Sequence, residues 1–460
     1  MTIPTTQYNY QTQHQGTFYF PAETSPHKAT ILGFPSPHSV PGDLLTATRH
    51  EILDLAVVIS EFEVVRMHVR AEEKDLARDM LEKRFRRLND DPSKVSGKRR
   101  RSGMKKSRGN KDKDEDKPEY HLDRITFHVC PTNHPWARDT GPVYVVDRQQ
   151  PGKRIAVDFG FCEWGGKNKA EIDVHNETIS EAQRENDERA PVPRKGYMEP
   201  DERHWENARF AKRVLELDNY TQPHQSEPSL PAEEITPVQR VIAPIRLEGG
   251  ALEVDGEGTL LATESSIIGP YRNDNLSKAD IEEHLRNLLG VIKIIWFPGR
   301  DGYDITDCHV DGEARFLEPG LVVVSKPHRR AGKMERTVYQ EVHDILSRET
   351  DAQGRNLKVI PLEEPDPEKM ALPADYGEGY SSDNDKEVGK EDDEIAGSYV
   401  NFYFVNGGLV FPVFGDTKRD RMAVETMRKL VPPERKIREI LMSALPSMGG
   451  MAHCVTQQVV

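Results

Sequence analysis

Five residues with nucleophilic, acid–base or charge-binding side chains occur in short segments spread along this 460-residue chain. They are Asp139 in WARDTGP, Glu248 in RLEGGALEVDGEG, His309 and Asp311 in TDCHVDGEARF, and Cys454 in GGMAHCVTQQ. A cysteine attacks as its thiolate, and a free thiol needs an electropositive neighbour to populate that form at neutral pH. The set therefore indicates nucleophilic catalysis by Cys454 with His309 as its partner.

The three carboxylates of this set are difficult to reconcile with a reactive thiol. Nearby negative charge raises the pKa of a cysteine and so disfavours its thiolate. A cationic substrate removes the conflict, and a guanidinium is well suited because its five N–H donors form a planar fork that carboxylates bind in pairs. The residue types therefore predict a small cationic substrate that carries a guanidino group.

Composition and charge argue against several other classes of protein. The formal net charge of −14 disfavours general nucleic-acid binding, and no apolar run is long enough to span a membrane. The four cysteines form no CxxC pair, and the histidines show no HExxH spacing, so we expect no metal, no cofactor and no disulfide framework. We expect a cytoplasmic protein, although the run KRRRSGMKKSR is also typical of nuclear targeting.

A repeated order of elements runs through most of the chain. Two strands, a helix and a third strand are predicted four times, beginning at PVYVVD, ALEV, EARFL and YVNFYFV. KATILGF, a helix and EVVRMHV form a fifth unit that the C-terminal strand could complete. The candidate site residues all lie between the last strand of one unit and the hairpin of the next. In a closed ring of such units these loops would converge on one end of the central axis.

Three polar segments interrupt this repeat and are predicted to be insertions in a single domain spanning residues 17–460. Residues 89–119 and 363–394 are highly charged and are expected to be disordered, because they have little apolar surface to bury. Residues 167–233 are polar and rich in proline around one predicted helix, HWENARFAKRVLEL. Long surface loops cost little in closure entropy, so the domain tolerates them.

The segments around the five residues resemble the diagnostic blocks of the agmatine deiminase and bacterial-type peptidylarginine deiminase family. The resemblance rests on WARDTGP, LEGGALEVDGEGTLLATE, TDCHVDGEARFLEPG and GGMAHCVTQQ, and it extends to FYFPAETSPHKATILGFP and DFGFCEWGGK. It implies an α/β fold, a fivefold pseudosymmetric α/β-propeller of ββαβ units, and a homo-oligomer. Three positions depart from the family pattern: Cys308 replaces glycine, Ala251 replaces asparagine or serine, and Thr24 replaces tryptophan.

By the same resemblance, Cys454 attacks the guanidinium carbon, His309 moves protons, and Glu248 holds the imidazole. Asp139 and Asp311 bind the guanidinium nitrogens. The implied reaction converts agmatine to N-carbamoylputrescine and ammonia through a covalent thiouronium intermediate, as a step toward putrescine. Three alternatives stay open: a peptidylarginine deiminase, an amidinotransferase that passes the intermediate to an amine, and an inactive relative with a binding or scaffold role.

Overall fold

The structure is a computed structural model that describes residues 17–92, 95, 117–150, 152–166, 206–220, 238–269, 272–373 and 397–460. Most of the three predicted insertions lies outside these ranges. The described part of the second insertion contains a helix at Phe210–Tyr220. The third was predicted to begin at residue 363, but residues 363–373 are described and Met370 packs in the core, so that boundary was set too early.

The strands of the described residues form five sheets. One sheet contains, in spatial order, β17 (Thr456–Val459), β2 (Ala29–Gly33), β3 (Val65–Val69) and β4 (Ile125–Val129). The next contains β1 (Phe18–Tyr19), β5 (Val143–Asp147), β6 (Arg154–Asp158) and β7 (Gln239–Ile242). The third sheet contains β8 (Glu253–Val254), β9 (Thr259–Thr263) and β10 (Lys293–Phe297). The fourth contains β11 (Ala314–Glu318), β12 (Leu321–Lys326) and β13 (Lys358–Glu363). The fifth contains β14 (Tyr403–Val405), β15 (Gly408–Val413) and β16 (Lys436–Leu441).

The same pairing recurs in all five sheets. An antiparallel pair is followed by a parallel strand, as in the antiparallel β11–β12 pair and the parallel β12–β13 pair. In the sheet that joins the chain ends, β17 pairs antiparallel with β2, and β2 pairs parallel with β3. Strands therefore lie where the sequence repeat predicts them, while β1 and β4 are additional edge strands that the repeat did not include.

A helix makes each parallel connection, because a parallel pair needs a crossover. The long helices are α1 (Gly42–Ile59), α2 (Lys74–Asp90), α5 (Phe210–Tyr220), α7 (Lys278–Leu289), α9 (Lys333–Leu346) and α10 (Thr417–Leu430). Short helical turns are α3 (Ala137–Thr140), α6 (Glu264–Ile267) and α8 (Val310–Glu313), whereas α4 (Glu163–Gly166) is a short turn with left-handed backbone conformation. Helix α7 shows how the sequence sets its ends: Ser277 and Asp280 form a capping box, and Gly290 ends the helix in the left-handed conformation at φ 62°.

The apolar core lies between the sheets and their helices. All residues of β9 and β15 are buried, as expected for strands with both faces covered. Helix α7 buries Ile281, Leu285 and Leu288, which lie on one face at the helical period. Because these strands and helices pack against the core, they form rigid supports for the loops that precede each sheet.

Candidate active site

The five sequence-predicted site residues lie in loops that precede the first strand of a repeat unit. Asp139 belongs to the turn α3 before β5, and Glu248 precedes the 3-10 turn Gly249–Ala251 that leads into β8. His309 is the N-cap of the turn α8, which contains Asp311 and runs into β11. Cys454 lies in the turn before β17, so the predicted C-terminal strand begins two residues after the thiol.

One cavity of about 990 Å³ is lined by Asp139, His309, Asp311 and Cys454. Glu248 is 1% exposed and contacts His309 from behind this surface. Gly250 shows how closely the groups converge: a Cβ at this position would lie 2.5 Å from His309 Nδ1, 3.0 Å from Asp139 Oδ1 and 3.2 Å from Asp311 Oδ2. The absence of a side chain at Gly250 therefore makes room for the imidazole between the carboxylates.

The Asp139 carboxylate is held by two donors. Trp164 Nε1 donates to Oδ2 over 2.8 Å, and the Gly250 backbone N–H donates to Oδ1 over 3.2 Å. Burial raises the pKa of Asp139 to about 6, against the lowering effect of His309. Asp139 is thus fixed in orientation and ionises near neutral pH.

Glu248 and His309 form a buried pair backed by a buried arginine. His309 Nε2 lies 3.1 Å from Glu248 Oε2, and His309 Nδ1 lies 3.8 Å from Asp139 Oδ1. Burial lowers the pKa of His309, but the charges of Asp139 and Glu248 outweigh it and raise the pKa to about 9. Arg272 Nε donates to both Glu248 oxygens, at 3.0 and 2.9 Å, and helps to lower the pKa of that carboxyl despite its burial. His309 is therefore an imidazolium at neutral pH.

The Cys454 thiol lies among acceptors and one amide donor. Its Sγ is 3.7 Å from Asp311 Oδ2, and Asn401 Nδ2 donates to it over 3.2 Å. Burial together with the charges of Asp311 and Asp139 raises the pKa of the thiol well above its usual range. Without a cation in the cavity, Cys454 is therefore protonated at neutral pH.

Backbone strain is concentrated beside these groups. Asp307 and Cys308 have φ of 62° and 72°, and Glu163 and Trp164 have φ of 52° and 49°. Such left-handed conformations are uncommon for residues other than glycine and persist where the surroundings fix them. Cys308 therefore combines a backbone conformation that favours glycine with a buried thiol.

Comparison with known proteins places the chain in a family. The profile of the Porphyromonas-type peptidyl-arginine deiminase family matches residues 19–459. The chain belongs to this family. A putative agmatine deiminase 1 of Listeria monocytogenes is 32% identical over 342 residues, which are 73% of this chain and 78% of the relative. An agmatine deiminase of Medicago truncatula is 30% identical over 350 residues, again 73% and 78%.

The fold is shared with a solved deiminase structure. The agmatine deiminase of Enterococcus faecalis aligns with a TM-score of 0.67 at 24% identity and covers 97% of this chain and 96% of that one. Family membership makes this deiminase a hydrolase that acts on C–N bonds of a guanidino group. Among the described residues, no helix is both long and apolar enough to cross a membrane, and no group of three His, Cys, Asp or Glu side chains could hold a metal ion.

Trp164, Asn401 and Arg272 are among the residues that contact the deiminase site and that sequence reasoning missed. Trp164 lies in the DFGFCEWGGK block, whose similarity to the family was noted without a role for its tryptophan. Asn401 was treated only as part of the strand candidate YVNFYFV, although its side chain contacts the thiol. Arg272 follows β9 in a segment without a recognisable motif, and its pairing with Glu248 becomes visible only in the fold.

Proposed function

We propose that this deiminase hydrolyses agmatine to N-carbamoylputrescine and ammonia, with Cys454 as nucleophile. The observation that carries the proposal is the meeting of a thiol, an imidazolium and two carboxylates, Cys454, His309, Asp139 and Asp311, around one cavity. The relatives named agmatine deiminase add support. The proposed arrangement of the five sheets is a fivefold pseudosymmetric propeller, in which the loops before each sheet meet at the axis.

Substrate binding would also activate the nucleophile. A guanidinium between Asp139 and Asp311 brings one positive charge into a cavity whose carboxylates hold the thiol protonated. Loss of the Cys454 proton to solvent then returns the net charge of the cavity to its value before the substrate bound. Charge-assisted pairs to both carboxylates would orient the guanidinium carbon toward Sγ.

The proposed chemistry follows from the protonation state of His309. The Cys454 thiolate forms a bond to the guanidinium carbon, and the imidazolium of His309 protonates the departing nitrogen, which leaves as ammonia. The neutral His309 then accepts a proton from water as its oxygen attacks the thiouronium carbon. The carbon–sulfur bond breaks as the hydroxyl of the resulting intermediate loses its proton to solvent, and the neutral ureido product and the thiolate are released. Glu248 stabilises the imidazolium form of His309 at the start and at the end of this cycle.

The outer wall of the cavity favours a substrate with a second cation. Asp304, Glu313, Glu335 and Glu364 line the same cavity as the thiol. Burial and the charges of Glu364 and Asp304 raise the pKa of Glu313 to about 8, so this carboxyl becomes a carboxylate at neutral pH when a cation binds beside it. Agmatine carries an amine at its far end, whereas an arginine in a peptide presents neutral amides. These carboxylates therefore support agmatine over a peptidylarginine substrate, and a polyamine-forming role follows from that product.

The deciding experiment compares agmatine, free arginine and an arginine peptide, with ammonia and ureido product measured separately. Agmatine should give both products in equal amounts without an added amine, which separates hydrolysis from amidino transfer. Protein quenched during turnover should carry a substrate-derived mass on the Cys454 peptide. The matched control is Cys308→Ser, which should keep turnover, whereas Cys454→Ser should abolish it and still bind agmatine. An adduct on Cys308, or turnover by the Cys454 variant, would refute the assignment.

A further inference from the structure

We propose that His453 is a positioning residue for Asp311: its ring carries both protons, bridges Glu23 and Asp311, and fixes the carboxylate that receives the guanidinium. The assignment of Asp311 to the guanidinium rests on the proposed function. The bridge itself is a feature of the fold and does not depend on the reaction. It joins the N-terminal segment before β2 to the residue that precedes the nucleophile.

The bridge consists of two short contacts on opposite sides of one ring. His453 Nδ1 lies 2.6 Å from Asp311 Oδ2, and His453 Nε2 lies 3.0 Å from Glu23 Oε1. The His453 and Asp311 residues are each 2% exposed, so water does not compete for these contacts. Asp311 Oδ2 is also the oxygen that lies 3.7 Å from Cys454 Sγ.

Proton counting gives the charge of the ring. A neutral imidazole has one N–H donor and one lone pair, so it can donate to only one of two carboxylates. The lone pair of the other nitrogen would then face a lone pair of a carboxylate oxygen. Away from water, this unpaired contact costs free energy. Both contacts are hydrogen bonds when the ring carries two protons, and this requires the imidazolium form of His453.

The groups around the bridge determine which carboxylate stays ionised. Glu23 accepts from Arg138 Nη2 over 2.9 Å, from Arg315 Nη2 over 2.7 Å and from the Phe404 backbone N–H over 3.0 Å. Burial opposes ionisation of Glu23, but these two arginines and His453 hold its pKa well below the usual range. Glu23 is therefore a carboxylate with no proton to share.

The remaining question is the balance of forces on His453. On balance the pKa of the His453 ring is lowered, because burial, Arg138 and Arg315 outweigh the raising effects of Glu23 and Asp311. Burial would raise the pKa of Asp311, but its hydrogen bond to His453 and the charge of that ring lower it. The geometry argues against a neutral ring, because its unprotonated nitrogen would face a buried carboxylate oxygen, either Asp311 Oδ2 at 2.6 Å or Glu23 Oε1 at 3.0 Å.

The bridge explains how a carboxylate can be held beside a thiol before substrate arrives. One Asp311 oxygen is committed to His453, which leaves the carboxylate in a single orientation for the guanidinium. Because His453 and Cys454 are adjacent in the chain, the same backbone segment sets the position of both the nucleophile and the binding carboxylate. Asn401 Oδ1 accepts from the His453 backbone N–H over 3.0 Å and secures that segment.

The test of the charge is nitrogen NMR of the full chain with ¹⁵N-labelled histidine imidazoles. The chain has 16 histidines, and His453→Asn or His453→Gln identifies the resonance by its loss. Should neither variant fold, Asp311→Asn assigns the same ring by shifting it. Two protonated ring nitrogens at pH 7 are expected. A ring with one unprotonated nitrogen at pH 7 would overturn the proposal, and this readout does not depend on any substrate.

The test of positioning uses agmatine binding by calorimetry in the Cys454→Ser background. Adding His453→Asn should weaken binding about tenfold or more, because Asp311 loses its fixed orientation. The melting temperature should change by no more than a few degrees. The matched control is His328→Asn, another buried histidine whose ring accepts only a backbone N–H in its own loop. Unchanged affinity in the His453 variant would refute positioning. Failure of every variant to bind agmatine would instead count against the proposed function.

Discussion

Replacing Arg272 is expected to lower the stability of this fold strongly. Its guanidinium is fully buried and donates to both oxygens of Glu248, to Asp307 Oδ2 over 3.0 Å and to the Thr306 carbonyl over 3.0 Å. Replacing it by methionine keeps an unbranched apolar stem and removes the guanidinium group with its charge and donors. Glu248 and Asp307 would then be left as buried carboxylates without this cation.

The magnitude follows from these two ion pairs. Two unit charges about 4 Å apart interact by about 4 kcal/mol at an effective dielectric constant of about 20. Part of the lost attraction is offset, because the variant no longer has to desolvate a guanidinium on folding. Removing one partner of a buried ion pair typically lowers stability by about 3–5 kcal/mol. We expect Arg272→Met to lower the free energy of unfolding by that amount. Since Arg272 lowers the pKa of Glu248, that pKa should rise in the variant and loosen the hold on His309.

The assay is urea unfolding followed by circular dichroism, with ammonia release measured on the folded fraction. Arg286→Met is the matched control: Arg286 pairs with Glu282 over 2.8 Å on an exposed helix face, and its loss should cost less than about 1 kcal/mol. Arg272→Met with Glu248→Gln should be less destabilised than the sum of the single variants, because the unpaired charge is gone. A loss below about 1 kcal/mol for Arg272→Met, with an unchanged denaturant slope, would refute the reasoning.

Four further outcomes are expected at the site. Asp311→Asn should weaken agmatine binding about 10- to 100-fold and also slow turnover, since a charge-assisted hydrogen bond contributes about 1.5–3 kcal/mol; calorimetry showing full affinity would contradict this. The value of kcat/KM should fall as pH rises through about 9, because His309 of the free enzyme loses the proton that it donates, and a kcat/KM that is equal at pH 8 and pH 10 would exclude this role. Trp164→Phe removes a donor that lowers the pKa of Asp139, so the acid limb of the pH–rate profile should move to higher pH, and an unmoved limb would disprove the link. Cys308→Gly should keep turnover and change stability by no more than about 1 kcal/mol, because glycine adopts φ 72° without strain; loss of turnover with the fold intact would give Cys308 a role in the reaction.

Local patterns in the sequence were sufficient for the elements and for the types of the site residues. Apolar runs such as LVVVSK predict buried strands because strands covered on both faces need continuous apolar sequence, and β12 lies there. The repeated order of a hairpin, a helix and a strand can also be recognised in the sequence without coordinates. Short motifs with reactive side chains, such as TDCHVDGEARF, also stand out because their residue types are uncommon together.

The tertiary structure alone decided which groups touch and therefore how they are charged. Asn401 reaches a thiol 53 positions away, Trp164 donates to a carboxylate 25 positions away, and Glu23 pairs with Arg315 across 292 positions. No periodicity predicts such contacts, because they depend on how loops of different units meet. The pKa directions of His309, Cys454 and Glu23 follow from burial and from these distant charges, and neither quantity is a property of the sequence until the chain has folded.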